Sequence, residues 1–181
     1  MSTTPGTRTI LLLGMKHSGK STLGRRLANH LGFEFTDLDE LIEELYDPSG
    51  GTTCREIFKA RGAEFFAELE AQAAAELARL TSRRPTVGAL GGGTIENRAA
   101  MNVLKEVGIR VYLKDSFDRL YERVMGNGRP AFLSADNPRD DFLRLFERRT
   151  QLYESQAELI VDITELGVEE AFRLLLDCLA V

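Results

Sequence analysis

Short apolar runs alternate with helical patterns along the whole chain. Runs rich in aliphatic, β-branched and aromatic residues predict five strands, at residues 8–13, 34–38, 86–90, 109–114 and 159–163. Several of these runs are almost continuously apolar, which is typical of strands that are buried on both faces of a parallel sheet.

Helical patterns fill the intervals between the predicted strands. They predict helices at residues 23–31, 63–80, 138–153 and 168–179. Thr53 and Glu56 form the pattern of a capping box, and Asn137 before Pro138 is typical of an N-cap followed by the first helical position. The alternation favours one three-layer α/β/α domain, residues 1–181, with a central five-stranded parallel sheet and right-handed crossovers.

Length and composition narrow the functional classes. The 181 residues suffice for one sizeable core, and the net charge of −5 argues against a broad basic surface for nucleic acid. Cys54 and Cys178 are far apart and lack metal-ligand spacing, so we expect two buried thiols without disulfide or metal roles. The polar residues 1–7 and the short apolar run after them predict a cytoplasmic protein without a membrane partner.

Residues 14–22 read Gly-Met-Lys-His-Ser-Gly-Lys-Ser-Thr, between the first predicted strand and the first predicted helix. In this setting the pattern predicts a phosphate-binding loop for a nucleoside triphosphate, with backbone N–H groups on the phosphates, Lys20 as a point charge and Ser21 on Mg²⁺. Lys16 and His17 are interpreted as loop residues without a specific role, and His17 as a solvated residue rather than a catalyst. The competing interpretation is a glycine-rich turn with an incidental lysine.

Ligands of such sheets gather at the carboxyl ends of the strands, where the second strand is followed by two carboxylates. Asp37 and Asp39 point the same way if the chain stays extended, so that one can hold Mg²⁺ through water while the other meets a substrate hydroxyl. Alternatively, Asp39 is the N-cap of a following helix.

One further strand end, one loop and one helix carry candidate substrate contacts. Gly91, Gly92 and Gly93 predict a wall that a substrate approaches closely, or else a flexible turn. The glycines of residues 125–130 predict a mobile lid that brings Arg129 over a transferring phosphoryl group, or else a surface loop. Arg149 shares a helical face with Tyr153, which also fits a solvated arginine packed over an aromatic ring.

Together these motifs resemble one family, shikimate kinase, a P-loop kinase with a nucleoside-monophosphate-kinase-like fold. The resemblance covers most of the chain, and the matching residues stand in the family's order and spacing. They are Gly-x-x-x-x-Gly-Lys-Ser-Thr at 14–22, Asp-x-Asp at 37–39, Glu-Ile-Phe at 56–58 before Gly62, Leu-Gly-Gly-Gly at 90–93, Arg-Pro at 129–130 and Arg-x-x-Leu-Tyr at 149–153.

The resemblance implies transfer of the γ-phosphoryl group of ATP to the 3-hydroxyl of shikimate, with Mg²⁺. It also implies roles for individual residues. On the nucleotide side, Ser21 and Asp37 hold the metal, and Arg123 packs on adenine. The phosphates are bound by the loop residues Gly14, Lys16, His17, Ser18, Gly19, Lys20, Ser21 and Thr22. On the acceptor side, Asp39 binds the reacting hydroxyl and Arg149 binds the carboxylate. Gly91, Gly92 and Gly93 line the acceptor site. Arg129 belongs to the lid at about 125–136.

Three positions and one stretch depart from the family pattern. An arginine that grips the shikimate carboxylate is expected at 67 and a glutamate at 63, but both positions are alanine. His17 stands where the family commonly has glycine, and the stretch after Asp162 is shorter than the usual adenine-contacting loop. Loss of one charge-assisted hydrogen bond weakens binding roughly 10- to 100-fold, unless a residue such as Arg61 replaces it.

The sequence therefore favours a small-molecule kinase with shikimate as its acceptor, and the resemblance implies a monomer. Two alternatives stay open: a related kinase with another hydroxy acid or polyol as acceptor, and a nucleotide-binding protein without catalysis. An adenylate-kinase-like activity is disfavoured because the predicted lid carries a single arginine.

Overall fold

The computed structural model describes residues 9–126, 128–130 and 133–181. Within these residues, five parallel strands form one sheet in the order β2-β3-β1-β4-β5. The strands are β1 (Thr9–Leu13), β2 (Glu34–Asp37), β3 (Thr86–Ala89), β4 (Gly108–Lys114) and β5 (Leu159–Asp162). The predicted parallel sheet is confirmed; apart from Arg8, which lies outside the described residues, every strand boundary is within one residue of its prediction.

Helices cover both faces of this sheet. They are α1 (Lys20–Leu31), α2 (Leu38–Tyr46), α3 (Cys54–Thr81), α4 (Arg98–Leu104), α5 (Phe117–Gly126), α6 (Pro138–Gln156) and α7 (Val168–Leu179), with a 3₁₀ turn at Thr94–Glu96. Ile10 and Leu12 of β1 pack in one core with α1 and α7, and Leu11 and Leu13 pack in the other with α2 to α6. Since alternate residues of a strand face opposite sides, the continuous apolar run of β1 fills both cores.

Two helices begin earlier than the sequence pattern predicts. Helix α1 begins at Lys20 rather than at residue 23, because Gly19 adopts a left-handed φ of 92° and the polar residues of the motif already form the first turn. Helix α2 begins at Leu38, so the chain does not stay extended from Asp37 to Asp39, as the pairing of these carboxylates assumed.

The capping box of Thr53 and Glu56 is confirmed at the start of α3. This helix changes direction at Gly62, whose φ of 83° and ψ of 177° are not helical. Asn137 does precede α6, but its side chain makes no capping hydrogen bond. The predicted side-chain cap is wrong; instead, Asp141 accepts a hydrogen bond from the backbone N–H of Ser134 and ties the preceding loop to the first turn.

The predicted burial of both cysteines is wrong. Cys54 is partly buried, and Cys178, in the last turn of α7, is exposed. Among the described residues, no helix has the length and apolar character needed to cross a membrane. The predicted polar tail at residues 1–7 lies outside the described residues.

Candidate active site

The loop between β1 and α1 has a backbone that requires glycine at two positions. Gly14 has a φ of 148°, and a Cβ atom there would lie 2.9 Å from both the Leu113 carbonyl oxygen and Ser18 Oγ. Gly19, also with positive φ, precedes α1 without a side-chain capping bond. The first-turn N–H groups of α1 therefore remain available to an anion, as the predicted phosphate-binding loop requires.

Lys20 lies buried beneath this loop. Its Nζ donates hydrogen bonds to the carbonyl oxygens of Gly14, at 2.9 Å, and Met15, at 2.8 Å. Burial lowers the pKa of Lys20 to about 8, while the nearby carboxylates of Asp39 and Asp37 partly oppose this shift. Because an ammonium group has three donors, one remains for a phosphate oxygen.

A cavity of about 410 Å³ opens in front of the loop, a volume within the range of small-molecule sites. It brings together the phosphate loop, the two carboxylates and part of the glycine wall, which are distant in sequence. Its lining residues are Lys16, His17, Gly19, Lys20, Ser21, Thr22, Asp37, Asp39, Leu90, Gly91, Gly92 and Arg123. Leu90 was not predicted as a site residue, since its apolar side chain suggests only a strand.

The two carboxylates have different environments. Asp37 accepts a 2.6 Å hydrogen bond from Ser21 Oγ and, through its other oxygen, caps α2 by accepting from the backbone N–H of Asp39. The alternative that Asp39 is the helix N-cap is therefore wrong. Asp39 lies in the first turn of α2 and lines the cavity, where burial and the charge of Asp37 raise its pKa to about 6.

Gly91 and Gly92 form a tightly packed wall. A Cβ atom at Gly91 would lie 2.6 Å from Asp39 Oδ1, and one at Gly92 would lie 2.8 Å from the backbone nitrogen of Lys16. The Tyr153 hydroxyl donates a 2.6 Å hydrogen bond to the Gly92 carbonyl oxygen. These contacts tie the turn to its surroundings, in contrast to the alternative of a flexible turn.

Arg149 of α6 reaches the end of this wall. Its Nη2 would be 3.3 Å from a Cβ atom at Gly93, and its Nε donates to Glu96 Oε2 at 2.8 Å. The side chain is 18% exposed, so the alternative of a solvated arginine is not what the structure shows. The neighbouring Tyr153 is buried and stacks on Tyr112, with ring centroids 4.9 Å apart.

Arg123 lines the cavity beside the phosphate loop. Its Nη1 donates to the His17 carbonyl oxygen at 2.9 Å and lies 3.2 Å from Asp115 Oδ2. Sequence reasoning missed Asp115, a buried carboxylate that directly follows β4. Its position at a strand end, four residues before Arg119 and eight before Arg123, was a usable signal.

His17 differs from its predicted solvated state. It is partly buried and lines the cavity, and burial together with the nearby cations lowers its pKa. Its φ of 66° lies in the left-handed region, where glycine fits without strain. This backbone conformation fits the glycine that the resemblance leads us to expect at this position.

The predicted lid lies only partly within the described residues, because Asn127, Ala131 and Phe132 fall outside them. Gly128 has a φ of 86°, and the guanidinium of Arg129 donates to the Leu133 carbonyl oxygen. Arg129 is exposed and is not among the residues that line the cavity.

Ala63 and Ala67, the two alanines that depart from the family pattern, are exposed on α3. The Ala67 carbonyl accepts a 2.9 Å hydrogen bond from Asn97 Nδ2, and the buried Glu70 accepts from Asn97 and Thr94. Arg61, the candidate replacement for the missing arginine, lies over the Phe65 ring at 3.9 Å from its centroid and does not line the cavity.

Comparisons with known proteins agree with this geometry. The family model described as shikimate kinase matches residues 16–180. A shikimate kinase of Shewanella amazonensis is 38% identical over 154 residues, which cover 85% of this chain and 86% of the relative. One of Shewanella loihica is 35% identical over 170 residues, covering 94% and 95% respectively.

A solved structure gives the same result at the level of the fold. Shikimate kinase from Acinetobacter baumannii, in complex with shikimate, superposes with a TM-score of 0.80 at 32% identity and covers 96% of this chain and 93% of that one. Both the sequence and the arrangement of the elements therefore match over nearly the full length. The chain belongs to the shikimate kinase family.

Proposed function

We infer that this protein is a kinase that transfers the γ-phosphoryl group of ATP to a hydroxyl of shikimate, giving shikimate 3-phosphate and ADP. One observation carries the proposal: Lys20 of α1 and Asp39 of α2 line the same cavity, although the two helices pack on opposite faces of the sheet. A carboxylate suited to the acceptor hydroxyl thereby faces a loop suited to the phosphates of the donor. Membership of the family supports ATP as the donor and shikimate as the acceptor.

On the donor side, the loop amides and Lys20 hold the phosphates. Ser21 Oγ and Asp37 Oδ2, 2.6 Å apart, offer hard oxygen ligands of the kind Mg²⁺ takes, with water and phosphate oxygens filling the other positions. The metal, when bound, neutralises charge on the phosphates. We place the adenine near Arg123, whose guanidinium is held by His17 and Asp115.

On the acceptor side, Asp39 accepts a hydrogen bond from the reacting hydroxyl and takes its proton as the new O–P bond forms. Its pKa of about 6 leaves it ionised near neutral pH while making it a better base than an exposed aspartate. Gly91 and Gly92 allow the acceptor to approach the backbone, and Arg149 binds its carboxylate. Positioning and charge neutralisation supply most of the catalysis in such reactions.

Arg129 enters the proposal as the lid arginine. It must move from its contact with the Leu133 carbonyl to reach a transferring phosphoryl group, and the glycines at 126 and 128 permit such motion. We further propose that the enzyme works as a monomer in the cytoplasm.

A coupled assay of ADP release tests the proposal. Wild-type protein with Mg²⁺ and ATP is expected to release ADP on addition of shikimate, with a high KM because Ala67 replaces the family's arginine. Lys20→Met serves as the inactive control, and quinate and gluconate serve as alternative hydroxy-acid acceptors. Turnover of another acceptor but not of shikimate would favour the related kinase, and ATP binding without any turnover would favour a non-catalytic nucleotide-binding protein.

A further inference from the structure

Glu96 connects the turn after the glycine wall to helix α6. It ends the 3₁₀ turn that follows the glycine wall, and its two carboxylate oxygens accept from two consecutive arginines. Arg148 Nε donates to Oε1 at 2.7 Å, and Arg149 Nε donates to Oε2 at 2.8 Å. One side chain thus holds the guanidinium that we assign to the acceptor carboxylate.

The geometry leaves Arg149 able to bind a second carboxylate. Glu96 takes its Nε, whereas Nη2 lies beside Gly93 at the end of the wall. A guanidinium presents a fork of five donors, so a contact at Nε leaves the Nη edge for a planar carboxylate. The orientation of this edge is set by Glu96, because rotation of the side chain would break the hydrogen bond.

Charge balance also favours this arrangement. Glu96 carries one negative charge and is flanked by two arginines, so the group of three retains one net positive charge. The side chain of Arg148 is 59% exposed and that of Arg149 is 18% exposed. The more solvated arginine offsets Glu96, and the more buried one keeps its charge for the substrate.

Glu96 itself rests on a supported turn. Glu70 of α3 is buried and accepts hydrogen bonds from Thr94 Oγ1 at 2.7 Å and from Asn97 Nδ2 at 2.8 Å. These two residues flank Glu96 and its neighbour Ile95 in the chain. The family's arginine at 67 is absent from this same helix, so Arg149 is the family arginine that remains for the acceptor carboxylate.

We propose that Glu96 is a positioning residue for acceptor specificity, which holds Arg149 at the glycine wall so that one arginine does the work the family divides between two. The proposal rests on the proposed function, since it takes the acceptor to be a hydroxy acid with a carboxylate. Arg149 touches the substrate, and Glu96 acts through Arg149 alone.

Glu96→Ala tests this role by steady-state kinetics. The KM for shikimate is expected to rise about ten-fold, as for loss of a well-oriented charge-assisted contact, while kcat and the KM for ATP change less than about two-fold. Glu96→Gln keeps one acceptor oxygen, so its KM for shikimate is expected to lie between the KM values of wild-type protein and Glu96→Ala. Glu154→Ala is the matched control, because Glu154 also ties α6 to a neighbouring element, through Lys114 of β4 at 3.0 Å, and should leave the KM for shikimate unchanged.

A double-mutant cycle separates positioning from a purely structural role. In an Arg149→Ala background, Glu96→Ala should not lower kcat/KM for shikimate further, since the residue through which it acts is gone. The value of kcat/KM can be measured from the linear dependence of the rate on shikimate concentration, even where a variant cannot be saturated. An unchanged KM in Glu96→Ala, effects that multiply in the double variant, or a parallel rise in the KM for ATP would each overturn the proposal. If wild-type protein does not turn over shikimate at all, the proposed function fails instead.

Discussion

At the scale of single residues, Asp39 shows a conflict between stability and activity. Burial and the neighbouring Asp37 disfavour its charge and raise its pKa to about 6, yet the proposed reaction needs that charge to accept a proton. Carboxylates in such conflict are common in active sites, where function is retained at the expense of folding stability.

Asp39→Asn is expected to lower kcat roughly 10²- to 10⁴-fold, the usual contribution of a general base, with little change in the KM for ATP. In wild-type protein, kcat/KM for shikimate should fall as the pH drops below about 6, because Asp39 becomes protonated. Steady-state kinetics between pH 5 and 8 measure both effects. Asp140→Asn, the same change at an exposed site in α6, is the control, and near-normal turnover in Asp39→Asn would exclude it as the base.

The same substitution should stabilise the fold. Because the folded pKa of Asp39 lies above its value in the unfolded chain, its charge costs stability fully above pH 6, and this cost disappears as the pH falls toward 4. Asp39→Asn should therefore raise the free energy of unfolding at pH 8, by less than the full pKa shift implies because solvent screens the exposed Asp39, and by still less at pH 5. Urea denaturation at both pH values measures this, and a loss of stability at pH 8 would contradict the electrostatic argument.

Position 67 tests whether the missing arginine weakens binding of the acceptor carboxylate. Ala67→Arg is expected to lower the KM for shikimate by about ten-fold or more, since it restores a charge-assisted hydrogen bond to the carboxylate. Ala75→Arg, two turns further along α3 and also exposed, controls for added charge on the helix. A flat KM for Ala67→Arg would mean that position 67 does not face the acceptor carboxylate.

At the scale of elements, α3 depends on one glycine for its shape. Gly62 combines a φ of 83° with a ψ of 177°, a conformation almost confined to glycine, and so separates the capped first segment from the long second segment. A Cβ atom at this site would meet no atom within 4 Å, so a substitution there acts through the backbone and not through packing.

Gly62→Ala is expected to cost about 1–3 kcal/mol of stability, the usual cost of such backbone strain. For a chain of this size this corresponds to a fall in Tm of roughly 2–12 °C. Gly126→Ala is the control, because a Cβ atom there is also unobstructed and its φ is not positive. Scanning calorimetry of the two variants separates strain from the mere loss of a glycine, and equal Tm values would refute the strained kink.

At the scale of the whole molecule, ligand binding should couple to folding because the cavity joins several elements. Mg²⁺ and ATP together at about 100 times the dissociation constant should stabilise the fold by about 2.7 kcal/mol, which corresponds to a rise in Tm of roughly 5–11 °C. Lys20→Met should lose most of this rise, and EDTA should reduce it in wild-type protein. An undiminished rise in either case would argue against the proposed phosphate and metal contacts.

Much of the site was predictable because its chemistry is local. The phosphate loop is one continuous motif whose glycines are required by backbone geometry at 14 and 19, and the strands are apolar runs that both cores bury. Asp37, Asp39 and the glycine wall could be found because carboxyl ends of parallel strands share one edge of the sheet. Asp115 obeys the same rule and was overlooked.

The rest depended on contacts between residues far apart in sequence. The sequence by itself determined the fold class, the phosphate loop and the candidate acceptor residues, since these follow from periodicity and short motifs. Only the tertiary structure decided that Asp37 caps α2, that the surroundings of Asp39 raise its pKa, and that Glu96 holds Arg149. The reason is physical: burial, charge environment and side-chain orientation are properties of the packed molecule, and no local pattern encodes them.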